Sequence, residues 1–325
     1  MTATTAPSTT APSTTARAPL AKIALAFAGL YIIWGTTYVA IAFSIQSLPP
    51  FTSGALRFFT AATLMYGWLR FRGPQPLAGI DIKRAALCGV LLTGFGNGLV
   101  VWAQQGVPSG IAALIVAAIP IFVVLVECVF FSGRWPQPRA AFGMLIATLG
   151  VAVIVSHTRT LSGAAKPIYV IAILLAVLSW SFGTLLQRQA AIKPARILAF
   201  TCVQIFFGAL LQLSLALLNR EWRVLDIAHI SMTSLLAVTY LVVFGSVIAL
   251  SCYSWLLTQV APQKVATYAL VNPVVALILG AIVLGETISS TAVFAALSVL
   301  VGISLVLFPN WRWPTTKPIQ ASEAA

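Results

Sequence analysis

The chain has 325 residues, of which 60% are hydrophobic and only 8% charged, with a mean hydropathy of +0.99. Soluble domains carry roughly 25% charged residues, so this composition excludes a water-soluble enzyme or binding module and points to a polytopic membrane protein. The net charge of +13 does not signal nucleic acid, because the basic residues sit at the ends of apolar runs and build no groove-reading motif.

The first 17 residues are mostly Thr, Ala, Pro and Ser, with Ala-Pro-Ser-Thr-Thr occurring twice, so a disordered tail is expected over residues 1–20. A cleavable signal peptide is not expected, since no basic region opens the chain and the first apolar run is too long. From Lys22 onward the apolar runs predict ten membrane-spanning helices, centred near residues 33, 59, 93, 121, 147, 177, 207, 245, 275 and 299.

The first span carries Tyr31, Trp34 and Tyr38 on one face beside Gly35-Thr36-Thr37. A tryptophan at mid-span lies away from its usual interfacial belt and its N–H needs a partner, so Trp34 reads as a cavity wall, with interhelical packing as the alternative. The second span holds Arg57, which must face water, a carboxylate or a solute, or else snorkel to the interface. In the third, Gly94 and Gly98 have the spacing of a close helix contact, and Asn97, Val101 and Gln104 share a face. Gln104 to Gly110 supply the turn into the fourth span.

The fourth span has a central proline, Pro120, and two turns later Glu127, the one acid well inside a span. A buried carboxylate of this kind is a candidate counter-ion or proton carrier, or a structural partner near the cytoplasmic end. The sixth span repeats the design of the first, with Trp180, Thr184 and Gln187 on one face and Gly183 nearby. The eighth offers Ser246 and Tyr253. The ninth lines up Lys264, Tyr268 and Asn272 at four-residue intervals, followed by Pro273, which lacks the N–H that the Ala269 carbonyl would accept. Glu286, at the end of this span, reads as a cap or as a clamp to the tenth helix.

Two halves emerge. Val107-Pro108-Ser109-Gly110 leads into the span with Pro120 as Ala261-Pro262-Gln263-Lys264 leads into the span with Pro273. Paired, proline-interrupted segments in corresponding positions are the best sequence pointer to a transporter's binding site. With the N-terminus in the cytoplasm, fourteen basic residues fall in inner segments and four, Arg159, Lys166, Arg220 and Arg223, in outer ones. That asymmetry places both termini inside, and halves of five spans then run in opposite senses, as an inverted repeat. Cys88, Cys128, Cys202 and Cys252 lie in apolar segments without CxxC spacing and read as small core residues.

The ordered set Tyr31-Ile32-Ile33-Trp34-Gly35-Thr36-Thr37-Tyr38, Pro49-Pro50 with Arg57-Phe58, Gly96-Asn97-Gly98, Val107-Pro108-Ser109-Gly110, Trp180-Ser181-Phe182-Gly183, Tyr268 to Pro273 and Gly285-Glu286 resembles the drug/metabolite transporter superfamily. The resemblance is to its EamA-domain permeases, most closely the YedA-like and PecM-like members, over roughly residues 21 to 309. It implies an all-α membrane protein of ten transmembrane helices in two inverted five-helix EamA repeats, 21–156 and 167–309, with an outer linker over 157–166 and a cytoplasmic tail over 310–325. It also implies export of a small metabolite, amino acid or toxic compound. Gln104 stands where many relatives carry a glutamate, and Gly133-Arg134 lacks the glutamate of the usual Gly-Glu-Arg.

The expected function is therefore an inner-membrane, multi-pass transporter with a central alternating-access cavity, the alternative being a channel or a membrane assembly partner. Candidate solute-binding residues are Trp34, Tyr38, Arg57, Asn97, Gln104, Trp180, Tyr253, Tyr268 and Asn272. Pro120 and Pro273 are the candidate helix breaks and Glu127 the candidate coupling residue. An enzyme is not expected: the two histidines, His157 and His229, fall in predicted outer loops and no HExxH motif occurs. No cofactor, metal or nucleic acid is expected. The partners are a small-molecule solute and the lipid bilayer, with a homo-oligomer left open.

Overall fold

A computed structural model of the chain describes residues 19–133, 135–161 and 167–308, apart from the side chains at 154–161 and 263. Arg134, both expected tails except Pro19 and Leu20, and residues 162–166 of the expected linker lie outside the described residues. Within them the fold is all-helical, with no strand. In chain order the helical segments are α1 (Leu20–Ser44), α2 (Pro50–Arg72), α3 (Ile82–Ala103), α4 (Ser109–Ser132) and α5 (Pro138–Leu161). They continue with α6 (Pro167–Gln189), α7 (Pro194–Leu218), α8 (Met232–Gln259), α9 (Tyr268–Leu284) and α10 (Ser290–Leu307). Seven of these, α1, α3, α4, α6, α7, α8 and α10, are long and apolar enough to cross a membrane. Of the others, α9 is a shorter apolar helix, and so is Pro138–Val153 of α5, while α2 carries Arg57, Arg70 and Arg72 in its 23 residues.

Local chemistry sets the boundaries. Pro50 and Pro194 open α2 and α7, where the missing N–H costs nothing because a first-turn donor has no intrahelical partner. Ser231 and Ser289 cap α8 and α10, each hydroxyl accepting a backbone N–H three residues on at 3.1 Å. Gly133 and Gly285 close α4 and α9 with φ of +63° and +68°, a left-handed turn that a β-carbon would oppose. The helix α5 runs through His157 to Leu161, since no glycine or proline interrupts the chain before Gly163.

The bundle is apolar outside and polar at its centre. Leu25, Ile32, Leu64, Phe71 and Phe130 stand exposed on helix flanks, while Thr93, Thr184, Gln204, Gln212, Ser246 and Asn272 are buried. This reverses the distribution of a soluble domain and suits a lipid surround. In packing, α1 lies against α8 and α9, as α6 lies against α3 and α4; α2 pairs with α7 and α5 with α10. The α5–α10 contact is backbone to backbone: a β-carbon on Gly302 would overlap the Gly143 carbonyl. Gly94 and Gly98 of α3 likewise face Leu211 and Gln212 of α7, the close contact their spacing predicts.

Both α3 and α8 contain an eight-residue π-helical stretch, Val90–Asn97 and Leu241–Ile248. Such wide turns are rare and recur at functional sites. A third, Glu127–Ser132, ends α4.

Candidate functional site

Trp34 is the hub of an aromatic cluster drawn from four helices. Its ring lies 5.5 Å from that of Trp180, 5.2 Å from Tyr253 and 5.0 Å from Tyr268, the Trp180 and Tyr268 contacts being edge to face. Its Nε1 donates to the Gly245 carbonyl at 3.3 Å, inside the wide turn of α8. Tyr253 is held from behind by a hydroxyl pair with Thr184 at 2.6 Å. The first face of α1 therefore meets α6, α8 and α9 through rings, each pair contributing about 0.5–1.5 kcal/mol beyond its buried area.

These rings border a cavity of about 70 Å³. Trp34, Tyr38, Trp180 and Tyr268 form its aromatic wall, and Arg57, Asn97 and Asn272 supply polar tips. Seven of the nine candidate solute-binding residues thus converge. Tyr253 stands one layer back, in ring contact but not on the wall. Gln104 is elsewhere: α3 ends at Ala103, and seven residues of helix carry Gln104 about 10 Å along the axis from Asn97.

Arg57 is buried, with 4% of its surface exposed. Its Nε donates to Ser246 Oγ at 2.8 Å and its guanidinium lies over the Phe58 ring, 4.7 Å from the centroid. Nη1 has no partner, and among the described residues no carboxylate lies within salt-bridge distance of Arg57. Asn97 Oδ1, also on the cavity, is a buried acceptor without a donor. Asn272, with its amide oriented to satisfy both contacts, donates to the carbonyls of Tyr31 at 3.0 Å and Tyr268 at 3.3 Å.

The two proline spans break differently. In α4 the helix stops at Val116 and resumes at Ile119, immediately before Pro120, because the proline cannot donate to the Val116 carbonyl. Val116 and Ile119 both line the cavity, so the break opens onto it. Pro273 is corrected: α9 continues through it, and the interruption falls earlier, at Ala266–Thr267, between a single turn at Pro262–Val265 and Tyr268. The φ of proline fits a helix, and the backbone instead tightens upstream. Ala269 and Leu270 donate to carbonyls three residues back, and the Thr267 hydroxyl pairs with the Lys264 carbonyl and with the Tyr31 hydroxyl at 2.5 Å.

Glu127 is half-buried at the start of the wide turn of α4 and does not line the cavity. Glu286 is a cap, but not for α10. Gly285 turns it back so that its carboxylate accepts Ser109 N at 2.7 Å and Gly110 N at 3.2 Å, the first donors of α4. Glu221 plays the same part on α2, accepting Phe51 N at 3.1 Å and both the N–H and the hydroxyl of Thr52 at 2.7 Å. Arg220 before it is left-handed, with φ +55°, an uncommon conformation outside glycine that swings Glu221 into place. Sequence reasoning missed Glu221 and the cavity residue Thr93. Glu221 lies 170 residues from Phe51 and carries no local signal.

An all-α membrane protein whose central cavity has aromatic walls and polar tips is the class that fold and site define. The sequence matches the EamA-like transporter family over residues 21–156 and 167–308, and the chain belongs to that family. It is 34% identical over 297 residues to the "Uncharacterized inner membrane transporter YedA" of Escherichia coli strain K12, covering 91% of this chain and 94% of that protein. It is 24% identical over 286 residues to the "Probable amino-acid metabolite efflux pump" of Salmonella typhimurium, covering 85% of this chain and 92% of that protein. In fold the chain also matches a crystal structure of a protein at 19% identity, with a TM-score of 0.62 over 88% of this chain and 96% of that one.

Proposed function

We propose that this transporter is an inner-membrane carrier that exports a small metabolite, amino acid or toxic compound by alternating access to the central cavity. In this reading α1 to α10 all cross the membrane, as two inverted halves of five with both termini cytoplasmic. The observation that carries it is the cavity itself, walled by corresponding helices of both halves: Trp34 and Trp180, the wide turns of α3 and α8, and the segments after the breaks in α4 and α9.

Two further observations support it. The packing of α1 on α8 and α9 has its counterpart in α6 on α3 and α4, as a two-fold relation between halves requires. On the side assigned as outer, Glu221 and Glu286, both from the second half, bind helix N-termini of the first, so breaking these clamps would part the halves there. The efflux name of the Salmonella relative favours export as the direction. The test is counterflow in liposomes holding the purified full-length protein. Labelled solute should accumulate transiently against excess unlabelled solute, saturate, and be competed. Flux that rises linearly with concentration and ignores competitors would replace the carrier with a channel.

A further inference from the structure

We propose that the second half of the chain holds a glycerophosphate site, apart from the central cavity, in the pocket between the ends of α6 and α8 and the start of α7. Arg188 takes the phosphate there, and Gln187 with Ser254 takes a hydroxyl of the glycerol. The same chemistry occurs on an anionic lipid headgroup and on free glycerol phosphate, and the site stands whatever solute the central cavity carries.

The pocket has a volume of about 300 Å³, enough for a small molecule, and its lining includes Gln187, Arg188, Ile197, Ser254, Leu257 and Thr258. It shares no residue with the wall of the central cavity. Along α6 the two are separated by the hydroxyl pair of Thr184 and Tyr253: Trp180 borders the cavity, Thr184 follows one turn on, and Gln187 about one turn further. Gln187 is 3% exposed, yet neither its Nε2 nor its Oε1 has a partner. Ser254 is fully buried, and its Oγ has none either. An unmade hydrogen bond on a buried polar atom is costly, so three such atoms on residues lining one pocket mark the place of a missing polar group.

Gln187 offers an acceptor and two N–H donors and Ser254 can act either way, so the pair calls for a group that both donates and accepts, as a hydroxyl does. Beside them Arg188 is exposed at the end of α6. Its Nη1 donates to the carbonyls of Leu257 at 2.8 Å and Val260 at 2.9 Å, which pins the guanidinium to the end of α8. Nε and Nη2 have no protein partner, and among the described residues no carboxylate lies within salt-bridge distance of Arg188. The α-helical part of α7 opens at Ile197, in the pocket lining, with no side-chain cap, adding the positive end of a helix dipole. A guanidinium with two free donors matches two oxygens of a phosphate. Basic pockets between helix ends on the cytoplasmic side are where anionic headgroups dock, and this is the end of α6 assigned to the cytoplasm.

The experiment uses the purified full-length protein, delipidated in detergent near neutral pH. Native mass spectrometry reads binding of dioleoyl phosphatidylglycerol, phosphatidic acid and phosphatidylcholine, and calorimetry reads glycerol 3-phosphate and inorganic phosphate. In the lipid arm phosphatidylglycerol should bind about tenfold tighter than phosphatidylcholine, which has no net charge, and than phosphatidic acid, which lacks the headgroup glycerol. In the free arm glycerol 3-phosphate should bind about tenfold tighter than inorganic phosphate. Whichever arm responds identifies the source of the ligand. Arg188→Gln should weaken that binding about tenfold, whereas Lys193→Gln, an equal loss of charge outside the pocket lining, should not. Gln187→Leu combined with Ser254→Ala removes the unpartnered atoms, and should level phosphatidylglycerol with phosphatidic acid, or glycerol 3-phosphate with inorganic phosphate.

The proposal is overturned if neither arm shows its preference, which leaves the pocket to water. It is overturned equally if Lys193→Gln weakens binding as much as Arg188→Gln, since the ligand then reads general surface charge, or if the Gln187→Leu, Ser254→Ala variant keeps the wild-type preference. Arg188→Gln also loses two bonds to the end of α8. Where that variant is not recovered folded, the Gln187→Leu, Ser254→Ala variant decides alone.

Discussion

The carboxylate of Glu286 accepts the backbone N–H of Ser109 at 2.7 Å, joining the end of α9 to the start of α4 across 177 residues of chain. Pro108 precedes that N–H and Pro49 precedes the N–H groups held by Glu221, so both clamps use a proline-started helix whose free donors have no side-chain cap of their own. Each carboxylate also faces the positive end of a helix dipole.

Loss of either clamp should therefore be felt as loss of a helix cap. Glu286→Ala and Glu221→Ala are each expected to destabilise the protein by about 1–2 kcal/mol, with the glutamine variants in between because an amide oxygen still accepts. Thermal unfolding of the purified protein measures this. If the clamps also hold the outer side shut, a cysteine at Ser109 should react faster with a membrane-impermeant thiol reagent in the Glu286→Ala background. The background for this needs Cys88, Cys128, Cys202 and Cys252 replaced, all unpaired here. An unchanged rate would confine Glu286 to a structural role.

Trp34 separates ring contact from hydrogen bonding. Trp34→Phe keeps an aromatic face toward Trp180 and Tyr268 but removes the N–H given to the Gly245 carbonyl, and should lower stability by about 1 kcal/mol. Trp34→Ala removes all three ring contacts and should abolish solute counterflow even where protein is still recovered from the membrane. Counterflow by Trp34→Ala at the wild-type rate would show that the aromatic wall is not used.

Gly35 sits where α1 meets α9, and a β-carbon there would come within 2.7 Å of Val275 Cβ. Gly35→Val should therefore force the two helices apart and cost about 1–3 kcal/mol, whereas Gly67→Ala, with open space around it, should be silent. Thermal midpoints of the two variants provide the comparison.

Topology gives a further check, since fourteen basic residues against four predict the sidedness of each loop. Reporter fusions after Lys83 and Arg196 should report cytoplasm, and fusions near Leu161 and Asp226 the opposite side. A cytoplasmic signal at Leu161 would break the inverted-repeat reading.

A proton-coupled carrier needs a titrating group in its pathway, and Glu127 does not line the cavity. Transport is therefore expected to run as facilitated diffusion or exchange, with Glu127→Gln leaving counterflow intact and an imposed pH gradient driving no accumulation. Uphill accumulation in wild type that Glu127→Gln abolishes would make Glu127 the proton carrier.

What the sequence determined by itself is whatever depends on neighbours along the chain. Apolar runs place the helices, since burying a backbone in lipid demands about 20 apolar residues in a row, and prolines, serines and glycines mark the ends. Residues at helical spacing, such as Trp34 with Tyr38 and Tyr268 with Asn272, were already legible as one face. Only the tertiary structure decided which faces meet and which ends are capped. The Glu221 and Glu286 contacts join residues 170 and 177 positions apart, so no local pattern encodes them. At the break at Ala266–Thr267 the Thr267 hydroxyl meets the Tyr31 hydroxyl of α1, a partner 236 residues away that no local pattern announces. Arg57 shows the division most sharply: its sequence position announces an expensive charge, and only the surrounding helices reveal that Ser246 and Phe58 hold it while Nη1 is left buried without a partner.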